Sequence, residues 1–455
     1  MSTKHSKAAA EFLKNKKQAA WHDETLWLVR AKRDRLSKEV PEWEELRDMA
    51  CATKLYSNSH LDELLVEFEN NARANGAHVY WAKDADEYCN IVYNILNQHG
   101  VKHFIKSKSM LAEECELNPF LENKGIEVVE SDLGERILQL MHLKPSHIVL
   151  PAIHIKREQV GELFEKEMGT EKGNFDPTYL THAARKSLRQ KFIHAEAAMT
   201  GANFAVASTG EIVVCTNEGN ADMGTSQPKL QIAAFGMEKI VPDRESLGVF
   251  TRLLARSATG QPITTYTSHY RKPREGGEFH IIIVDNGRSK ILADQKHIRT
   301  LNCIRCGACM NTCPVYRRSG GYSYTYFIPG PIGINLGMLK APLHYHDNVS
   351  ACSLCYSCSF VCPAKVDLAE QIYLWRQDLD KLGKADRMKK VMSGGMKYMM
   401  NRPSVFNMAL KWAPLANGMP RFLIYNGLND WGKGREMPKF SKESFNEMWK
   451  KGKVK

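Results

Sequence analysis

The reading turns on two stretches, C-I-R-C-G-A-C-M-N-T-C-P over residues 303–314 and C-S-L-C-Y-S-C-S-F-V-C-P over residues 352–363. Both carry Cys-x2-Cys-x2-Cys-x3-Cys-Pro, the ligand run of a bacterial two-cluster ferredoxin. The spacing follows from the shape of a cubane. Three thiolates at three-residue intervals let one tight loop hold three iron corners while its backbone N–H groups turn toward the sulfides. Gly307 eases that wrap in the first loop. The fourth cysteine, followed by proline, is carried away from its own loop and ligates the other cluster. The runs therefore predict two [4Fe-4S] clusters, one on Cys303, Cys306, Cys309 and Cys362, the other on Cys352, Cys355, Cys358 and Cys313. Two four-cysteine zinc sites are the competing reading, but zinc sites usually take two separated C-x2-C knuckles. The remaining cysteines, Cys51, Cys89, Cys115 and Cys215, are scattered singly and read as small buried apolar residues.

Around these runs lie 455 residues, enough for two or three domains, with 43% hydrophobic and 25% charged residues, the composition of a soluble globular protein. No apolar run approaches the roughly 18 residues of a membrane span. The basic start M-S-T-K-H-S-K-A-A-A has neither an apolar core nor a cleavage site, so no secretory signal is read. Oxygen-sensitive clusters and unpaired thiols then point to the cytoplasm. The formal charge is +12. Clusters carrying about −2 each would bring the loaded protein to about +8. Such an excess suits an acidic partner subunit or a peripheral contact with an anionic membrane face. No Lys/Arg run is interleaved with aromatic residues and no nucleic-acid-binding signature occurs, which argues against nucleic acid.

Residues 1–70 read as helices, with Leu61, Leu64, Leu65 and Phe68 as one apolar stripe. Residues 71–294 alternate strands with helices. Strands are expected at His78–Ala82, His103–Ile105, Ile126–Val129, His147–Leu150, Phe204–Ala207, Glu211–Thr216, Leu230–Ala234, Ile263–Tyr266 and Phe279–Asp285, with helices at Asp132–Leu143 and along the connection Val160–Gln190. That alternation predicts an α/β domain with an open, mainly parallel sheet. An α-helical, ferredoxin-like two-cluster module follows at 295–380. Its insert between Cys313 and Cys352 is turn-rich and aromatic without helical period, and an ordered loop shielding the clusters is expected there. Residues 381–455 are basic and rich in Met and aromatic residues (Met388, Met392, Met396, Met399, Met400, Phe406, Trp412, Phe422, Tyr425, Trp431). Prolines break this segment, and its apolar residues are expected to pack over the module rather than form an exposed patch.

Further segments carry a resemblance: S-D-L-G-E (Ser131–Glu135), P-S-H-I-V-L-P-A-I-H (Pro145–His154), G-A-N-F-A-V-A-S-T-G (Gly201–Gly210), T-N-E-G-N-A-D (Thr216–Asp222), G-M-E-K-I-V-P (Gly236–Pro242) and D-N-G-R (Asp285–Arg288). With the cysteine runs, they make the chain similar to the iron-sulfur subunits of the three-component bacterial L-lactate utilization system, which contain a lactate-utilization (LUD) domain. The resemblance covers nearly the whole chain. It implies a fold like that of sugar-phosphate isomerases and CoA transferases. It also implies an electron-relay role, with other subunits of the complex, in oxidising L-lactate to pyruvate. The chemistry is compatible: such an oxidation releases two electrons, and each cluster passes one at a time.

A ligand pocket is expected at the strand ends, from Glu196, the Ser208-Thr209-Gly210 turn, the Glu218-Gly219-Asn220 turn and Glu238. His154 reads as a packed or solvent-facing histidine rather than a base. No G-x-G-x-x-G follows a strand and no Walker lysine loop occurs, so neither NAD nor flavin is assigned to this chain. The site that first accepts the substrate's electrons is then expected in another subunit, and the electron acceptor is not named by the sequence. Two other readings compete: a non-redox small-acid-binding or redox-sensing module with structural clusters, and an electron-transfer subunit of another 2-hydroxy-acid dehydrogenase.

The ligand exchange is testable by Cys362→Ser. Low-temperature EPR of the reduced protein should show the cluster of Cys303, Cys306 and Cys309 disturbed. Selective loss of the cluster on Cys352, Cys355 and Cys358 would contradict the exchange.

Overall fold

The computed structural model describes residues 4–384, 387–424 and 438–454. Its strands are β1 His78–Ala82, β2 His103–Lys106, β3 Glu127–Glu130, β4 Ala197–Gly201, β5 Phe204–Val206, β6 Glu211–Thr216, β7 Leu230–Gly236, β8 Ile240–Val241, β9 Tyr266–Tyr270 and β10 Glu278–Val284. Six of them form one sheet, in the order β1-β10-β7-β4-β2-β3, with every neighbouring pair parallel. The others form a second, mixed sheet in the order β8-β5-β6-β9.

The central strands are apolar on both faces, as a parallel sheet covered by helices requires. Alternation along β7 shows how each face is used. Ile232 and Ala234 join Tyr88, Val92 and Leu96 of the helix Ala85–Gln98, whereas Ala233 and Phe235 join Leu61, Leu65 and Phe68 of the helix Leu61–Ala74. β10 does the same, with Ile282 on the first side and Ile281 and Ile283 on the second. A third core joins Trp43, Leu46 and Ala50 of the helix Trp43–Ser59 to Phe204 and Val213 of the second sheet. It also takes in Ile304, Cys306, Ala308 and Val361 of the cysteine loops. The N-terminal helices, both sheets and the cysteine loops thus lie in one compact unit, residues 1–378.

The open, mainly parallel α/β sheet and the helical cysteine region agree with the sequence reading, with local differences. His147–Leu150 is a turn rather than a strand, because the His147 side chain binds its backbone N–H groups, as described below. β9 begins where the expected strand ends, at Tyr266. β4, a buried central strand of sequence A-A-M-T-G, was not anticipated, since its small residues give no β-branched run. The connection near Val160–Gln190 is two helices, Arg157–Met168 and Pro177–Ile193, the first ended by Gly169 at φ 65°. The insert between the cysteine runs contains the helix Gly330–Lys340 instead of a plain loop. It is buried around its whole circumference from Gly330 to Met338, and so presents no period.

Residues 379–455 form a second unit, with helices Arg387–Met400, Pro403–Trp412, Arg421–Ile424 and Phe445–Lys450. Met392, Met396, Met400, Trp412 and Phe422 are exposed, and the packing expected of them is not seen within this unit. Tyr425 and Trp431 lie outside the described residues. Among the described residues, no helix is long and apolar enough to cross a membrane.

The turn joining β5 to β6 is held by the helix Leu61–Ala74 and the asparagine that caps its end. Asn71 Nδ2 donates to the Ala207 carbonyl and Asn75 Nδ2 to the Thr209 carbonyl, both at 2.8 Å. Gly210 sits there at φ +65°, and a Cβ would lie 2.3 Å from the Ala72 nitrogen. Gly210→Ala should therefore cost about 2 kcal/mol or more, the left-handed penalty plus a backbone clash. An unchanged denaturant midpoint for that variant would contradict this account.

Candidate iron-sulfur centre and adjoining cavity

The two cysteine loops repeat one backbone design. Arg305 and Leu354 take left-handed conformations at φ 61° and 54°, and Gly307 and Tyr356 do so at 75° and 61°. This alternation turns successive N–H groups inward, the geometry of an anion-binding nest. The Arg305 N–H points to Cys303 Sγ at 3.4 Å and the Leu354 N–H to Cys352 Sγ at 3.3 Å. Past each loop, Tyr316 N–H approaches Cys313 Sγ at 3.5 Å and Val366 N–H approaches Cys362 Sγ at 3.4 Å. A side chain at the Gly307 position would meet His147 Cε1 at 2.9 Å, so glycine is required there by space as well as by φ.

Cys303, Cys306, Cys309 and Cys362 line one small cavity with Ile148, Ile332 and Leu368. Cys358 lies within electrostatic range of Cys313, Cys352 and Cys355. Burial pushes the thiols of Cys306, Cys309 and Cys358 far up and that of Cys362 to about 11, so cluster assembly has to displace protons. Thiolates on a tetrahedral zinc, each about 2.3 Å from the metal, sit about 3.8 Å apart. Among the described residues, no three cysteine sulfurs lie within 4.8 Å of one another. The inward N–H groups and the all-thiolate donor set fit an iron-sulfur cluster.

The first helices supply cations to these loops. Arg33 Nη2 donates to the Val361 carbonyl at 3.1 Å and Arg47 Nε to the Cys362 carbonyl at 3.0 Å. Arg30 reaches Thr312 and, at 3.5 Å, Ser357, one hydroxyl from each loop. On the other side, His147 Nδ1 accepts the N–H groups of Val149 and Leu150 at 3.0 Å, and its Nε2 donates to Asn311 Oδ1 at 3.0 Å. Those roles need a neutral ring. Burial, with Lys108 acting in the same direction, pushes His147 down to about 3.

A larger cavity of about 310 Å³ opens at the carboxyl ends of the parallel strands. Lys108 follows β2, Gly201–Asn203 lie at the end of β4, Gly236, Glu238 and Lys239 at the end of β7, and Arg288 beyond β10, the place where open α/β sheets bind ligands. Arg305 reaches it from the first cysteine loop. Part of the wall is a chain of buried charges: Arg288 bonds Glu238 and pairs with Glu114 at 2.9 Å, and Arg305 Nη2 stands 3.6 Å from Glu238. Burial alone would raise the Glu238 carboxyl, but Arg288 and Arg305 outweigh it and hold it at about 2. Burial lowers Lys239 to about 8, with Glu238 opposing and Arg305 reinforcing.

Of the pocket residues expected from sequence, Glu218, Asn220 and Glu238 border this cavity. Gly219 caps the helix Asn220–Ser226 beside it at φ 67°. Glu196 lies at the opposite, amino end of β4, where it accepts the N–H groups of Lys102 and His103 at 2.5 and 2.8 Å. Ser208, Thr209 and Gly210 form the turn fastened to Asn71 and Asn75, and do not border the cavity. His154 is packed between Ser146 and Tyr322, at 2.5 and 2.9 Å. Arg305 and Lys108 were not singled out in the sequence, and Lys239 and Arg288 lay within the segments that carry the resemblance without being read as pocket residues. Arg305 did leave a signal, because the first cysteine loop carries Arg where the second carries Leu354.

Models of known families match this arrangement, a LUD domain over residues 65–291 and a 4Fe-4S dicluster domain over residues 299–366. Over 435 residues the chain is 38% identical to the uncharacterized electron transport protein YkgF of Escherichia coli K12, covering 93% of this chain and 91% of that one. It is 41% identical over 432 residues to lactate utilization protein B of Bacillus pumilus SAFR-032, covering 91% and 90%. The crystal structure of a duf162 family protein from Deinococcus radiodurans, 14% identical, overlaps 49% of this chain and 98% of its own, but at a TM-score of 0.29 it says nothing about this fold. With about two residues in five shared along nine-tenths of both chains, the protein belongs to the lactate utilization protein B family.

Proposed function

We propose that this chain is the electron-relay subunit of an assembly that oxidises L-lactate to pyruvate, and that it holds two [4Fe-4S] clusters on the exchanged cysteine sets. The observation that carries the reading is the pairing of the cysteines. Cys362 of the second run lines the cavity formed by the first run, and Cys313 of the first run lies within electrostatic range of Cys352, Cys355 and Cys358. Electron transport in one relative's name and lactate utilization in the other's agree with it.

When bound, the clusters supply one-electron exchange. The chain's own residues set the order of the relay. Cys306, Cys309 and Cys362 are buried beside the sheet domain, whereas Cys355 is exposed. The set containing Cys303 is therefore the inner station and the set containing Cys355 the outer one, facing the acceptor. Backbone N–H groups on Cys303 and Cys352 would stabilise the added negative charge of a reduced centre held there. Arg376 bonds the Cys352 carbonyl and lies within electrostatic range of its sulfur, doing the same for the outer set.

Lactate oxidation to pyruvate releases two electrons and two protons. Clusters held by the two cysteine sets would supply the one-electron exchange that links a two-electron site in another subunit to an acceptor. The experiment is anaerobic reconstitution with the partner subunits. L-lactate should bleach the visible absorption of this chain's clusters and raise their reduced EPR signals within turnover time. Clusters that stay oxidised with lactate and all partners present would overturn the relay.

A further inference from the structure

The strand-end cavity is walled by acids and bases in equal number, but they are not equally engaged. Glu114 and Glu238 are taken up by Arg288, and Glu238 also faces Arg305. Asp132 Oδ1 accepts the Glu135 N–H at 3.1 Å, and Glu218 accepts the Leu133 N–H at 3.2 Å. Of the bases, Lys239 and Lys108 have no carboxylate of their own, and Arg305 keeps one donor free. Lys239 has no hydrogen-bond or ion-pair partner among the described residues, and Lys108 meets only the Val149 carbonyl, at 2.8 Å. Arg305 Nη1 and Thr216 Oγ1 are buried without any partner. A buried, unpaired donor costs about 1–3 kcal/mol, more when it is charged. What this wall lacks is an anion. The rest of the lining mixes apolar residues such as Ile148, Leu254 and Ile328 with uncharged polar ones such as Asn203, Asn217 and Thr259, which suits a short carbon chain with a neutral polar substituent rather than a second charge.

Arg305 makes this cavity more than a neighbour of the cysteines. Its backbone N–H points to Cys303 Sγ while its guanidinium forms part of the cavity wall. Lys239 and Arg305 both lie within electrostatic range of Cys303. We propose that the cavity binds a small monocarboxylate against Lys239 and Arg305, and that this binding is coupled to reduction of the inner cluster. The proposal rests on the reading of Cys303, Cys306, Cys309 and Cys362 as a cluster site.

The sign follows from charge. A reduced cluster and a bound carboxylate compete for the same cations, so the bound acid lowers the inner cluster's potential and reduction weakens the acid's binding. By linkage the two effects are equal in free energy. A tenfold difference in affinity between the oxidised and reduced states corresponds to 59 mV for one electron. The acid would thus leave when the electron arrives, which gives the relay a direction.

The test uses the anaerobically purified, cluster-loaded full chain. L-lactate, pyruvate and inorganic phosphate are titrated by calorimetry, and the inner cluster's potential is measured by EPR-monitored redox titration with and without saturating pyruvate. Lactate or pyruvate should bind saturably, phosphate should not, and the potential should fall by tens of millivolts. Lys239→Gln and Arg305→Gln should each weaken binding at least tenfold at unchanged iron content. Arg305 lies in a cysteine loop, so Lys239→Gln, outside both loops, keeps the test decisive if the first variant loses iron.

No saturable carboxylate binding, equal binding of phosphate, undiminished binding by Lys239→Gln, or an unmoved potential would each overturn the proposal. None of these outcomes decides the relay, which fails only if lactate leaves the clusters oxidised in the full complex. A relay that works without carboxylate binding here would remove the cavity proposal alone.

Discussion

A buried cluster with four thiolates carries a charge of about −2, and much of this structure is explained by the need to offset it. The cations come from three distant parts of the chain. Arg33 and Arg47, on the first helices, lie within electrostatic range of Cys306 and Cys362. Lys54, from the next turns, and Lys239, at the end of β7, act on Cys303. Arg305 acts on it from inside the cysteine loop. This accounts for the N-terminal helices sharing a core with the cysteine loops instead of forming a separate appendage. Without Arg33 and Arg47 the carbonyls of Val361 and Cys362 would lose their buried donors.

The same constraint shapes the sheet domain. Its strand ends deliver Lys108, Lys239 and Arg288 to one place, and the cysteine loop adds Arg305. Glu238 sits between Arg288 and Arg305 and keeps part of that positive charge balanced. Lys54 holds the same segment from behind, through the carbonyls of Glu238 and Ile240. The cavity and the cysteine site are therefore built on one charged element, Met237–Lys239, instead of being two modules placed side by side.

The cysteine spacing was legible because a cubane dictates it locally, and the parallel sheet because β7 and β10 are apolar along nearly their whole length. β4 was not legible: A-A-M-T-G becomes a strand only because β2 and β7 flank it. His147–Leu150 has strand-like composition, but a neutral buried imidazole binds two of its N–H groups and bends it. The helix Gly330–Lys340 was hidden because burial on all sides erases the period that marks a helix. For the ligand site, turns rich in small polar residues pointed to the right end of the sheet with Glu218, Asn220 and Glu238. They also pointed to a turn that serves packing, Ser208–Gly210. The cations were missed because single Lys and Arg residues look like surface charge until topology gathers them.

The account rests on two cubane clusters held by exchanged cysteines, and the most direct measurement is iron and acid-labile sulfide on anaerobically purified protein, with low-temperature EPR before and after dithionite. It predicts about eight iron and eight sulfide per chain and magnetically interacting signals from two reduced centres. Zinc without sulfide under strict anaerobiosis would contradict it.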